Sequence, residues 1–194
     1  MLYSDERRLH VVVPLPDGPC EVFVGHAPSS YGGDVEEQAA KAWWRETRRL
    51  ILAGHRVGRP LVLLFDANGR VGGVPSLAVG GVDPQEEDVN GSELHGLLNE
   101  LDLCVPATFL SPPGNCWTWR SGRNGAVHRI DYVAVPLDWA YKCTAAFCDD
   151  DLVLDEAGLG RVDHRASVVG IAPQVRAAPP ESSFKGVVFC CSCA

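Results

Sequence analysis

The run Leu61-Val62-Leu63-Leu64-Phe65, preceded by Pro60 and ended by Asp66-Ala67-Asn68-Gly69-Arg70, constrains this chain more than any other feature. Such a short apolar run suits a strand shielded on both faces better than a helix. A central strand of that kind needs strands beside it for its backbone groups and packed layers above and below. Polar groups at its end are held by a rigid scaffold yet reach solvent, as binding and catalytic groups do.

Neighbouring strands are legible on both sides. Residues 9–15 and 21–26 read as strands flanking the turn Pro16-Asp17-Gly18-Pro19, which makes a hairpin. Val35, Ala39, Ala42, Trp43, Leu50 and Ile51 recur at helical spacing and predict a helix over 34–53, with Gly54 after it. Residues 71–88, rich in Gly, Pro and acids, read as a long surface loop. Asn90 or Ser92 then caps a helix reaching Leu101, with Leu94, Leu97, Leu98 and Leu101 on one face. Strands follow at 116–119, 128–135, 140–148 and 166–171. The pattern predicts an α/β (α+β) domain over 1–172, with a mixed, mostly antiparallel sheet covered by helices on one face, and a flexible Cys-containing tail over 173–194.

Composition narrows the partners. A net charge of −8 opposes tight nucleic-acid binding by the whole surface, which leaves a local group such as Arg120, Arg123, His128 and Arg129. No apolar stretch has the length of a membrane span, and the charged amino terminus is unlike a signal peptide, so the expectation is an intracellular protein without membrane partners, nucleus and cytoplasm not being distinguished. The eight cysteines do not form the two spaced pairs of a zinc site and read as scattered thiols. The terminal Cys191-Ser192-Cys193-Ala194 has the outline of a prenylation box without its aliphatic pair.

Four polar signatures adjoin apolar runs: His26-Ala27-Pro28, Asp66-Ala67-Asn68, His128-Arg129-Ile130-Asp131-Tyr132 and Asp163-His164. Singly, each also fits a turn or a cap. Together they supply what phosphodiester hydrolysis requires: oxygen ligands for a divalent cation, a group that activates water, and donors for the charge on phosphorus. Asp163 is a hard ligand suited to Mg²⁺. His164 suits a base with Asp131 fixing its tautomer. Asp66 and Asn68, two apart on an extended strand, are expected on one face.

In their order these motifs resemble the endonuclease/exonuclease/phosphatase superfamily: VFVGHAP, a long helix, LVLLFDANGR, ELHGLLNELDL with Thr108-Phe109, Trp117-Thr118-Trp119, Arg129-Ile130-Asp131-Tyr132 and Asp163-His164. The flavour is closest to retroelement and abasic-site endonuclease domains. The resemblance implies one half of a four-layer α/β sandwich and a Mg²⁺- or Mn²⁺-dependent phosphodiesterase acting on DNA or another phosphodiester. It implies catalytic roles for His164, Asp131, His26, Asp66 and Asn68, a metal ligand in Asp163, and a substrate groove lined by Trp119 and Arg129. Phe65 stands where the family has Gly, and Ala67 where it has Phe. The family's first sheet, with an Asn and the main metal-binding Glu, has no counterpart before residue 9. The expectation is therefore a truncated domain with a weakly held cation and impaired hydrolysis, completed by a missing amino-terminal half or a packing partner. The alternatives are an inactive remnant or binding fragment, and a phosphoinositide or sphingomyelin phosphohydrolase.

Overall fold

A computed structural model describes residues 1–110, 117–149 and 163–172, and the backbone of residues 187–191. In chain order the strands are β1 (Tyr3–Ser4), β2 (Arg8–Leu15), β3 (Gly18–His26), β4 (Leu61–Asp66), β5 (Leu103–Cys104), β6 (Trp119–Arg120), β7 (Val127–His128), β8 (Asp131–Pro136), β9 (Cys143–Asp149), β10 (Ala166–Ile171) and β11 (Val187–Cys191). The α-helices are α1 (Asp34–Gly54), α2 (Val89–Glu100) and the short α3 (Ala107–Leu110), and a 3-10 helix spans Leu137–Lys142.

The apolar run 61–65 becomes the interior strand β4. The main sheet runs β1-β2-β3-β4-β8-β5. β2 and β3 form the expected hairpin, closing at the Leu15–Gly18 pair. β3 and β4 are parallel, joined by the crossover helix α1, and β4 pairs antiparallel with β8. Among the described strands the sheet is thus mixed and mostly antiparallel, as the sequence implies.

α1 buries Ala40, Trp44, Thr47 and Ile51, a stripe displaced from the one expected. Val35 is 78% exposed, and Trp44 rather than Trp43 is fully buried. Helical periodicity fixes the repeat but not the phase when two Trp are adjacent, and the sheet decides the phase. Phe65 projects from β4 between them, with ring centroids 5.3 Å from Trp44 and 6.1 Å from Trp43. Gly25, beside Phe65 across the β3–β4 ladder, is required there, because a Cβ would collide with the Phe65 ring.

α2 is capped by Asp88, which accepts from the Gly91 amide, and not by Asn90 or Ser92. Asn90 is instead fully buried: it accepts from Trp44 Nε1 at 2.9 Å and donates to the carbonyls of Pro28 (2.9 Å) and Asn68 (3.0 Å). One amide thereby ties α1, α2 and the turns after β3 and β4 together.

The opposite face of the main sheet meets a second sheet, ordered β11-β10-β9, whose β10 and β11 lie against β8 and β4. β11 falls in the segment expected to be a tail. Its five residues, Val-Val-Phe-Cys-Cys, pair antiparallel with β10, so the tail reading does not hold for them. The strand expected at 140–148 begins at Cys143, after the 3-10 turn. The loop 71–88 is less exposed than expected: Val71, Ala78 and Val79 join the core. Cys20, Cys104 and Cys148 are buried, and burial pushes the Cys20 and Cys104 thiols up to about 11. Cys116 and Cys193 lie outside the described residues. No described helix is long and apolar enough to cross a membrane.

Candidate active site

Strand register assembles the site. His26 is paired with Asp66 across β3 and β4, and Asp66 with Asp131 across β4 and β8. Residues directly opposite in a ladder point to the same face, so three adjacent strands present these side chains in one row. His26 Nε2 lies 3.6 Å from Asp66 Oδ2. His164 enters from the segment before β10, where it bridges to the backbone of Trp119, and its Nδ1 is 3.1 Å from Asp131 Oδ2. Ligand atoms of Asp66, Asp131 and His164 all lie within 4.8 Å of one another.

Thr118, a residue the sequence gives no reason to single out within its Trp-Thr-Trp motif, sets the position of Asp131. Its buried Oγ1 accepts from the amides of Ile130 (2.9 Å) and Asp131 (3.0 Å). Tyr132, one residue on and facing the helices, donates to the carbonyls of Arg129 (2.6 Å) and Gly69 (3.0 Å), which joins the β8 start to the turn after β4.

The charges in this row are strained against one another. Asp66 is 4% exposed, and burial, reinforced by the neighbouring Asp131, pushes its carboxyl up to about 7. Burial works against the His164 imidazolium, but the Asp131 hydrogen bond and the charges of Asp131, Asp66 and Asp163 outweigh it and raise His164 to about 9. His26 is lowered, by burial and then by Arg7 and His164. Near neutrality the row therefore holds a charged His164, a neutral His26 and an Asp66 close to its midpoint.

Three expectations are revised. Asn68 is not on an extended strand beside Asp66: it lies past the end of β4 in a left-handed turn (φ 45°) and donates to the Ala27 carbonyl at 2.9 Å. Its amide N–H in turn bonds Asp66 Oδ1 at 3.0 Å, so it braces Asp66. Arg129 is 3% exposed and donates to the Val82 carbonyl, which anchors the loop 71–88; a buried guanidinium does not line a groove. Asp163 is exposed, and it stands outside the close-packed group of possible metal ligands among the described residues. Trp119 is half-buried and stacked on His128 at 6.0 Å, and it lines a cavity of about 370 Å³ together with Asn68, Arg70, Ser29 and Tyr31.

This architecture is the DNase I-like fold of endonuclease/exonuclease/phosphatase domains. The endonuclease domain of TRAS1, a telomere-specific non-LTR retrotransposon, superposes with a TM-score of 0.57 at 18% identity, over 87% of this chain and 64% of its own. An AP endonuclease from Archaeoglobus fulgidus gives 0.57 at 16% identity, over 80% and 62%. The 3' phosphatase NExo from Neisseria, solved with a product DNA hairpin, gives 0.55 at 17% identity, over 83% and 63%. The chain thus spans a little under two thirds of the length of each of the three. No protein-family model matches the sequence, and no curated protein matches it.

Proposed function

We propose that this chain is a divalent-metal-dependent phosphodiester hydrolase that acts on DNA as an endonuclease. The row formed by His26, Asp66 and Asp131, completed by His164, carries the reading. Two carboxylates and two imidazoles meet there, with the Asp66 carboxyl raised, His164 raised and His26 lowered, which suits acid–base work on one substrate.

Asp131 holds His164 by Nδ1, so Nε2 is the nitrogen left to meet a phosphate. As an imidazolium it donates to a non-bridging oxygen or protonates a leaving oxygen. Asp66, raised to about 7 and 3.6 Å from the neutral His26, is the group suited to take a proton from water near neutral pH. The residues also fit a cation. Asp131 Oδ1 is buried without a hydrogen-bond partner, and two carboxylates are hard oxygen donors that Mn²⁺ or Mg²⁺ accepts. Asp131 and the ionised form of Asp66 would hold it, beside a His164 that stays an imidazolium, and it would supply Lewis-acid neutralisation of phosphate charge. Two protein ligands predict weak retention.

The test is incubation of the purified chain with supercoiled plasmid and with an abasic duplex, in Mg²⁺, Mn²⁺ or chelator, beside His164→Ala and Asp66→Ala. Metal-dependent cleavage lost in both variants is expected. Cleavage unaffected by both substitutions overturns the assignment, and DNA binding without cleavage supports a non-catalytic binding domain instead.

A further inference from the structure

A second hydrogen-bonded chain of catalytic type lies outside the strand-end row, between the loop 71–88 and α2. Ser76 Oγ is 2.7 Å from His95 Nε2, and His95 Nδ1 is 2.7 Å from Glu87 Oε1. His95 and Glu87 are largely shielded, at 9% and 15% side-chain exposure, whereas Ser76 is half-buried and open to solvent.

The hydrogen-bond inventory fixes the polarity. Ser76 Oγ accepts from the amides of Ala78 (3.0 Å) and Val79 (3.2 Å), which occupies both of its lone pairs. Its hydrogen is left for His95 Nε2, which must then be the accepting nitrogen, while the Nδ1 hydrogen goes to the Glu87 carboxylate. A hydroxyl donating to an imidazole that is oriented by a carboxylate is the polarity of general-base activation. The two amides on Oγ stabilise the alkoxide form as its proton leaves. Val74 and Leu77, two exposed apolar residues close to the serine in sequence (59% and 75% exposed), favour an uncharged substrate over a charged one.

We propose that Ser76, His95 and Glu87 form a second hydrolytic centre that takes small, uncharged carboxylic esters. Ser76 Oγ attacks the carbonyl carbon and passes its proton to His95 Nε2; the C–O bond to the alcohol breaks, and the alcohol leaves with that proton. Water, deprotonated by His95, then releases the carboxylic acid and restores the serine.

The test uses the full chain with p-nitrophenyl acetate and, separately, a fluorophosphonate probe located by peptide mass spectrometry. Expected are p-nitrophenolate release, a probe adduct on Ser76, and a fall of about a hundredfold in Ser76→Ala and His95→Gln, the size of a general-base contribution. Asp66→Ala retains the ester reaction, which separates this centre from the phosphodiester site. An adduct elsewhere, no adduct on the folded wild-type chain, or an undiminished rate in Ser76→Ala overturns the proposal. The wild-type adduct does not depend on whether the variants fold.

Discussion

Replacing Asp66 by Asn is expected to stabilise the fold while removing the proposed activity, and the size of the gain depends on pH in a way the site dictates. The carboxyl is raised from 3.8 to about 7 by burial and by Asp131. A carboxyl whose affinity for protons is higher folded than unfolded favours folding at low pH, and this advantage is lost as pH rises through the folded value. Relative to a neutral Asn, Asp66 therefore imposes no penalty below about pH 4, an increasing one between about 4 and 7, and a constant one above. At about 1.4 kcal/mol per pH interval, moving from about pH 5 to about pH 8 spans roughly two intervals, or about 3 kcal/mol. Removing Asp66 also removes one of the charges that keep His164 protonated, which offsets part of the gain, so about 2 kcal/mol remains. Asn can still accept from the Asn68 amide, so the turn is retained. Urea unfolding of both proteins at the two pH values measures the difference, with chelator present throughout. A gap that stays constant or narrows towards alkaline pH would refute the reasoning. A parallel titration with Mn²⁺ is expected to raise the midpoint of the wild type and not of Asp66→Asn, since bound cation stabilises only a fold that holds it.

Other substitutions probe separate parts of the argument. His164→Asn is expected to lower phosphodiester cleavage by about 10²–10⁴-fold and to lower Tm at neutral pH, an effect that fades as pH rises through about 9, read by plasmid nicking and thermal melts across pH. Asn90→Ala leaves Trp44 Nε1 and two buried carbonyls without partners, which is expected to cost about 2–4 kcal/mol in denaturant unfolding; a loss below about 1 kcal/mol would mean the network carries no stability. Glu21 is fully buried against His55, the Arg56 amide and Arg59; burial opposes its ionisation, but the hydrogen bonds from His55 and the Arg56 amide and the charges of His55 and His10 outweigh it and hold its carboxyl low. Its contribution is present above the ordinary carboxylate range and lost as pH falls. Glu21→Gln is therefore expected to destabilise at neutral pH by about 1–3 kcal/mol and to converge on the wild type in acid, as measured by urea midpoints across pH.

What could be read from the sequence follows from which interactions are local. The strand β4, the β2–β3 hairpin and the crossover helix are written in runs, turn residues and periodicity, and all three are present. The order of His26, Asp66, Asp131 and His164 along the chain pointed to a shared site because each adjoins an apolar run, and register alone brings the first three side by side. Side chains whose task is to brace others left no such mark. Thr118 acts through two amides twelve and thirteen residues away, and Asn90 through groups up to sixty-two residues away, so nothing in their neighbourhood announces either. Arg129 shows the opposite error. A cation next to a site motif invites a substrate role, but its guanidinium is spent on a carbonyl of the loop 71–88.

The loop 71–88 deserves a different reading from the one its composition suggests. Gly, Pro and acids mark it as solvent-exposed, yet Val71, Ala78 and Val79 are buried, Arg129 holds Val82, and Ser76 is held by His95. Gln85 bonds the ring of His128, the same ring that stacks on Trp119 beside the cavity. The loop therefore connects α2 to the wall of the candidate active site through side chains on both of its flanks. A loop pinned at this many points behaves as a structural element, and changes at the Gln85 side chain, which bonds the His128 ring, are expected to alter substrate affinity while the Thr118 bonds to the Ile130 and Asp131 amides keep the Asp131–His164 pair in place. A Gln85→Ala variant with raised KM and unchanged kcat on plasmid DNA would bear this out; an equal fall in kcat would show instead that the wall and the catalytic row move as one.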